Sequence, residues 1–247
     1  MLAGILHDAG YYLGEKLYRP RETNPKGFFE WKEINQINEL ILSGYRGKKR
    51  FYDALLHRIF RRNTVRNPGK NQRWLLSLSP RIDISQVDTE TAERIRAVTA
   101  REPFCYKDPR FSYTLPVWRR FLKPGTALIC IFREPQITVE SILKECRSAE
   151  YLKSLFITRK NALAVWANMY AHILLKNREA SKAFCFVHYD QVYDGSALAR
   201  LSRILKTGLR KDFVDEGLRR TASDSPVPEY ASHIYARLCD LAGYKGN

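Results

Sequence analysis

Arg133 and Ser141 stand eight positions apart, a guanidinium and a hydroxyl following an apolar run over residues 127–132. That uncharged run reads as a strand buried on both faces. Arg133 follows it, where the strand leaves the sheet. Pro135 sits where a helix begins, a position that tolerates its missing N–H. Ser141 then falls about two turns along that helix, at ~1.5 Å per residue. A strand end, an Arg and a Ser near a helix start make an anion site at the carboxyl edge of an α/β sheet. The guanidinium can grip a phosphate bidentately, and the hydroxyl can add a hydrogen bond. Charge also closes the short apolar segment Phe104-Cys105-Tyr106, which runs into Lys107-Asp108-Pro109-Arg110. Two carboxylates, Glu15 and Glu30, lie near the ends of a loop broken by Gly14, Pro20, Pro25 and Gly27. The ordinary reading of each is a solvated charge or, for Glu30, a carboxylate at the positive end of a helix.

The surrounding elements have to position these groups. Leu2, Ile5, Leu6 and Ala9 recur at helical spacing, and Gly10 closes that helix. Residues 11–13 read as a short extended segment. Glu30 opens a helix marked by Ile34, Ile37, Asn38 and Ile41. Residues 47–66 are basic and partly amphipathic and predict a surface helix, and 88–100 predict another, with Asp88 and Glu90 at its positive end. Helices are expected over 113–122, 137–146 and 151–178, the last with Leu155, Val165, Trp166 and Met169 on its apolar face. A third strand over 183–187 ends in His188-Tyr189-Asp190. Helices over 198–205 and 230–241 follow, with Arg219 and Arg220 in the loop-rich region between them. Strands alternating with helices predict one α/β domain over residues 1–247, with a largely parallel sheet covered on both faces. Residues 1–9 read as the interior of such a unit, with no strand leading in, which predicts further sequence upstream.

Composition narrows the partners. The chain has 42 Lys and Arg against 26 Asp and Glu, a net charge of +16. Such a balance suits an anionic ligand or an acidic acceptor. No nucleic-acid module of standard spacing is present, and the basic residues are dispersed apart from the patch over 48–66. The 5 cysteines have no metal-like spacing, so no metal is expected. Cys105, Cys130 and Cys185 lie in apolar runs, where a free thiol behaves as a small hydrophobe, as suits a reducing cytoplasm. No apolar run approaches the ~20 residues of a membrane span.

In order along the chain, these segments resemble the sulfotransferases that use 3′-phosphoadenosine 5′-phosphosulfate (PAPS). Met1-Leu2-Ala3-Gly4-Ile5-Leu6 is similar to the helix after that family's phosphosulfate loop. Asn24-Pro25-Lys26-Gly27-Phe28-Phe29-Glu30, with Ile34 and Asn38, is similar to a segment of many bacterial members. Phe132-Arg133-Glu134-Pro135 with Ser141 has the family's Arg-to-Ser spacing. Val187-His188-Tyr189-Asp190 resembles its later strand, and Lys107-Asp108-Pro109-Arg110 and Trp166 add to the likeness. The resemblance covers nearly the whole chain.

It implies an α/β, P-loop NTPase-like sulfotransferase fold. The first strand and the phosphosulfate loop, typically Pro-Lys/Arg-Ser-Gly-Thr-Ser/Thr, are expected immediately before Met1. It implies PAPS as co-substrate, with Arg133 and Ser141 on the 3′-phosphate and Tyr189, Arg219 and Arg220 as further cofactor contacts. The acceptor, a hydroxyl or amine of a carbohydrate, lipid, peptide or small molecule, needs a general base within hydrogen-bond reach. Glu30 and Glu15 are the candidates, Glu30 the preferred one, and Lys107 is expected to polarise the sulfuryl group or orient the acceptor. Two other classes stay open: a P-loop kinase-like enzyme, for which no G-x-x-x-x-G-K-[ST] is present, and a non-catalytic relic or binding module.

Overall fold

Short apolar runs separated by amphipathic helices give a chain in which pairs of strands are clamped between helices. The computed structural model describes residues 1–21, 24–47, 62–179, 184–215, 217 and 223–246. Along it lie α1 (Leu2–Asp8), α2 (Lys32–Ser43), β1 (Asn63–Thr64), α3 (Thr89–Thr99), α4 (Phe111–Trp118), β2 (Ile129–Phe132) and α5 (Pro135–Ser148). There follow β3 (Leu155–Phe156), α6 (Arg159–Glu179), β4 (Cys185–His188), α7 (Tyr189–Tyr193), α8 (Leu198–Leu205) and α9 (Glu229–Ala242).

β2 and β4 pair in parallel, from Ile129 opposite Cys185 to Phe132 opposite His188. Successive strand side chains point to opposite faces, and each face here meets its own helices. Cys130, Phe132 and Phe186 pack with Val139 of α5, Trp166 of α6 and Leu238 of α9. Ile129, Ile131, Cys185 and Val187 pack with Leu2, Ile5 and Leu6 of α1 and Leu201 of α8. A strand covered on both sides has no polar face, which is why residues 127–132 carry no charge. Burial drives the Cys130 thiol well above its ordinary value.

Tyr12 and Phe104 form a separate parallel bridge, with Cys105 N donating to Tyr12 O at 2.9 Å. Among the described residues the named strands form two two-stranded ladders, β1 with β3 and β2 with β4, not one continuous sheet. α1 ties the Tyr12–Phe104 bridge to the β2–β4 ladder, since Tyr11 and Cys105 pack in the same cluster as Ile129 and Ile131. The third cluster gathers Ile34, Ile37, Ile41 and Leu42 of α2, Ile95 of α3, and Tyr113 and Trp118 of α4.

Two expectations from periodicity shift. The long helix begins at Arg159, not at residue 151, because Leu155 and Phe156 leave the helical path to pair with Asn63 and Thr64. Leu152 and Leu155 fit helical spacing equally well, and a short apolar run does not separate the alternatives. Glu30 does not open α2: Trp31 is the N-cap residue, in an extended conformation. Most of the basic stretch over 47–66 lies outside the described residues, and near its end Asn63–Thr64 is strand.

Candidate functional site

Glu30 and Lys107 meet although they are 77 positions apart, Lys107 Nζ standing 2.6 Å from Glu30 Oε1. The backbone makes this approach by two unusual turns. Phe29 has φ of +53°, a left-handed conformation that costs a non-Gly residue about 1–3 kcal/mol. Its ring is held edge-on against Phe213, the centroids 5.3 Å apart. Gly14, at φ +120°, lets the Trp31 ring lie where a Cβ would be 2.1 Å from its Cγ. The chain between them then folds back, with Tyr18 N donating to Glu30 O and Lys32 N to Lys16 O, both at 3.1 Å.

Behind this pair lies a buried polar network. Asn35 Nδ2 donates to Glu30 Oε2 at 3.3 Å and to Asp108 Oδ2 at 2.7 Å. Asn38 Nδ2 also donates to Asp108 Oδ2, at 2.9 Å, while its Oδ1 accepts from Thr114 Oγ1 and Trp118 Nε1. Arg110 bridges two acids, donating to Asp108 Oδ1 at 3.0 Å and from Nε to Glu39 Oε1 at 2.9 Å. Burial opposes the Arg110 charge, yet Asp108 and Glu39 outweigh it and raise the guanidinium above its ordinary value. Glu39 in turn accepts from Arg73 Nη1 at 2.6 Å and from the backbone N–H groups of Asn71 and Arg73. The network fixes the Lys107-to-Arg110 turn against α2, and Asn35 carries that order out to the Glu30 carboxylate. Lys107 has a second anchor, the Phe28 carbonyl oxygen at 3.2 Å.

Lys26 adds a cation to this region, held by a 2.6 Å hydrogen bond to Phe213 O and lying 4.7 Å from the Phe213 ring centroid. Phe213 reaches there because α1 has a glycine: a Cβ on Gly4 would stand 2.3 Å from the ring. Lys26 also stands 3.7 Å from Asp215 Oδ2, so Lys26 and Lys107 each have an acid partner. Glu15 is exposed, with no hydrogen bond or ion pair among the described residues; it shares none of the Glu30 network.

The other limb forms where β2 and β4 end together. Arg133 follows β2, Tyr189 follows β4, and the Arg133 guanidinium carbon lies 4.7 Å from the Tyr189 ring centroid. Tyr189 is set by a capping box at the start of α7: His188 Nδ1 accepts from Asp190 N at 3.1 Å, and Gln191 Oε1 accepts from His188 N at 3.0 Å. With Nδ1 accepting, the neutral ring carries its proton on Nε2, which faces Tyr235 OH at 3.0 Å. Tyr244 stacks on His188 with centroids 3.7 Å apart and donates to Asp190 Oδ2 at 3.1 Å. α9 and the residues after it therefore lock the end of β4.

The helix start beside Arg133 is not open to a ligand. The Glu134 carboxylate accepts from Gln136 N at 3.2 Å and Ile137 N at 3.0 Å. The Gln136 and Ile137 N–H groups are thus taken by the helix's own cap. Ser141 is on α5 and exposed. Arg219 and Arg220 lie outside the described residues.

Glu134, Asp108 and His188 stand in the sequence only within charged segments at strand ends, which give none of them a role of its own. Asn35, Asn38 and Glu39 do leave a signal, polar residues sharing a helix face with Ile34, Ile41 and Leu42. Among the described residues no group of His, Cys, Asp and Glu is arranged to hold a metal ion, and no helix is long and apolar enough to cross a membrane. No family model, curated protein or solved structure matches the chain.

Proposed function

We propose that this chain is a PAPS-dependent sulfotransferase with the α/β, P-loop NTPase-like fold its motifs resemble, acting on a hydroxyl or amine acceptor in the cytoplasm. The observation that supports this most is the pairing of Arg133 with Tyr189 where two parallel strands end. An arginine at the end of one parallel strand, resting on the ring that ends its neighbour, is placed where an α/β fold takes an anion. Arg133 binds the 3′-phosphate with help from the Ser141 hydroxyl, while Tyr189 keeps the guanidinium in place. Arg219 and Arg220 belong to the same reading as further phosphate contacts.

PAPS, when bound, supplies the sulfuryl group and leaves as 3′,5′-ADP. Glu30 takes the proton of the acceptor hydroxyl or amine. Its carboxylate is held by Lys107 at 2.6 Å and Asn35 at 3.3 Å, so its direction is set before an acceptor arrives. Lys107 is the cation of the pair, poised to steady negative charge on the sulfuryl oxygens. Asn35 acts through Glu30 and is a positioning residue. Glu15, exposed and unattached to the network, is the weaker candidate for the base.

The direct test incubates the protein, supplied with the strand and phosphosulfate loop that the resemblance implies, with radiolabelled PAPS and a panel of carbohydrate, phenolic, lipid and peptide acceptors, beside a parallel arm with ATP and magnesium. Label transferred from PAPS, with no turnover of ATP, is the expected result. Phosphoryl transfer from ATP overturns the reading in favour of a kinase-like enzyme. Binding of neither PAPS nor 3′,5′-ADP by calorimetry overturns it altogether.

A further inference from the structure

Between α4 and the C-terminal half of α6 lies a cavity of about 180 Å³, whose lining includes Ser112, Leu115, Arg119, Ile173, Lys176 and Phe184. It is remote in sequence from Glu30, Lys107, Arg133 and Tyr189 in most of its lining, and none of those residues lines it. Ser112 Oγ and Arg119 Nη2 in this lining are buried with no hydrogen-bond partner among the described residues, and His172, also in the lining, donates from Nδ1 to Pro80 O at 2.8 Å. Buried polar atoms are normally satisfied, and an orphaned one calls for an explanation. Arg119 sharpens the point. Among the described residues it has no ion pair, and burial holds its guanidinium below its ordinary value. A cation withdrawn from water without an acid beside it is costly. Its guanidinium carbon lies 5.2 Å from the Phe184 ring centroid, which fixes the fork without supplying an acceptor. Leu115, Ile173 and Phe184 give the rest of the wall an apolar character.

We propose that this cavity binds a small carboxylate with an apolar body, the carboxylate taken by Arg119 and Ser112 and the body by Leu115, Ile173 and Phe184. One desolvated guanidinium and one hydroxyl match a single negative charge. A carboxylate offers the planar, two-oxygen edge that a guanidinium recognises. The volume, about 180 Å³, is below the ~300–1,000 Å³ of pockets for drug-sized ligands, so the body is a single ring or a short branched chain. Lys176, on the same wall, adds positive potential that draws an anion in. The site is independent of sulfuryl transfer and stands or falls separately from it.

Benzoate is the probe, with benzyl alcohol as the uncharged control, titrated into the full chain and followed by calorimetry and by amide shifts at Ser112, Ile173 and Phe184. Saturable benzoate binding is expected, with benzyl alcohol much weaker. Arg119→Met should weaken benzoate by ~30-fold or more, the loss of one partner of a buried charge pair. Ser112→Ala should weaken it by roughly fivefold, the scale of one hydrogen bond. Without benzoate, Arg119→Met should melt close to the wild type, because Arg119 is only partly buried and has no ion pair among the described residues. Should that variant fail to fold, Arg119→Lys keeps the charge but loses the planar fork, and weaker benzoate binding is again expected. Absence of saturation, equal affinity for benzyl alcohol, or undiminished affinity in the Arg119 variant that folds would each overturn the proposal.

Discussion

At Asp108 both carboxylate oxygens are met by donors, Asn35 and Asn38 on one, the Arg110 side chain and backbone N–H on the other. At Arg133 the guanidinium lies against the face of Tyr189, and the carboxylate next in sequence is turned to its own helix. The first region answers its charges from within, through contacts between residues some 70 positions apart, such as Asn38 with Asp108. The second holds its cation by local geometry, a strand end and the ring that follows the neighbouring strand. A polar group whose partners are internal contributes to the fold, and losing it leaves a buried charge stranded. A cation at the ends of two parallel strands stands where an α/β fold meets its ligand. Substitutions in the two regions should therefore fail in different ways.

The largest effect is expected from Arg110→Ala. Asp108 and Glu39 are nearly inaccessible, with side-chain exposures of 0% and 7%, and both lose a cation at once. Removing one partner from a buried ionic cluster costs about 3–5 kcal/mol, and denaturant unfolding should show a loss of that order. A small loss would mean that water reaches the cluster and that the first region is not closed.

Glu30→Gln probes the border between the regions, because Glu30 is bonded to the network yet is proposed to act on a ligand. Turnover should fall by ~10²–10⁴-fold, the range of general acid–base catalysis, with PAPS affinity kept. Stability should change by only about 0–1 kcal/mol, since the Lys107 side chain is 45% exposed and its ion pair is screened. Should Glu15→Gln give the rate loss instead, the base is misassigned. Should Glu30→Gln unfold as readily as Arg110→Ala, Glu30 belongs to the scaffold.

Arg133→Ala should reverse that pattern. Its 3′,5′-ADP affinity should drop by about 2–5 kcal/mol, the cost of stranding a buried phosphate contact, while stability should fall less than in Arg110→Ala, since Arg133 is only partly buried at a strand end. Ser141→Ala should weaken affinity by about 1 kcal/mol, one net hydrogen bond. Calorimetry and thermal melts on the same samples separate the two quantities. Unchanged affinity in both variants would remove Arg133 and Ser141 from the ligand site and with them the contrast between the regions.

The two regions also differed in how far they could be read from the chain. β2, the start of α5, and β4 with its polar exit follow from one uncharged run, one proline and one apolar segment, all local signals. The Glu134 cap is local too, but the carboxylate precedes Pro135 and could equally have faced a ligand. The Asp108 network was not legible, because its members come from three stretches far apart and only the fold brings Asn35, Glu39 and Arg73 to one arginine and one aspartate. Its trace was the polar triplet inside the apolar stripe of α2, which spacing alone assigns to neither core nor site. The displaced start of α6 has the same cause: Leu155 and Phe156 are decided by Asn63 and Thr64, residues no local window contains.

The mildest test concerns α3, which packs on α2 and is joined to it by Arg94 and Glu33 at 2.9 Å. Asp88 caps α3, its carboxylate accepting from Thr91 N at 2.7 Å and from Thr91 Oγ1 at 3.1 Å. These bonds, the backbone one first, hold its carboxyl below its ordinary value of 3.8. The folded value is the lower one, so the stabilisation is fully present above the unfolded value and is lost as pH falls through the folded value. Asp88→Asn keeps a cap acceptor and removes the titration. Between the two proteins the melting temperatures should track each other near neutral pH and part below about pH 4, the wild type falling further. The effect is small because Asp88 is at the surface. If the curves part, the outer edge of the first region depends on a titrating cap; if they stay parallel, α3 is held by its packing on α2 and the closed network alone, and the contrast with the Arg133 region is sharper than the cap suggests.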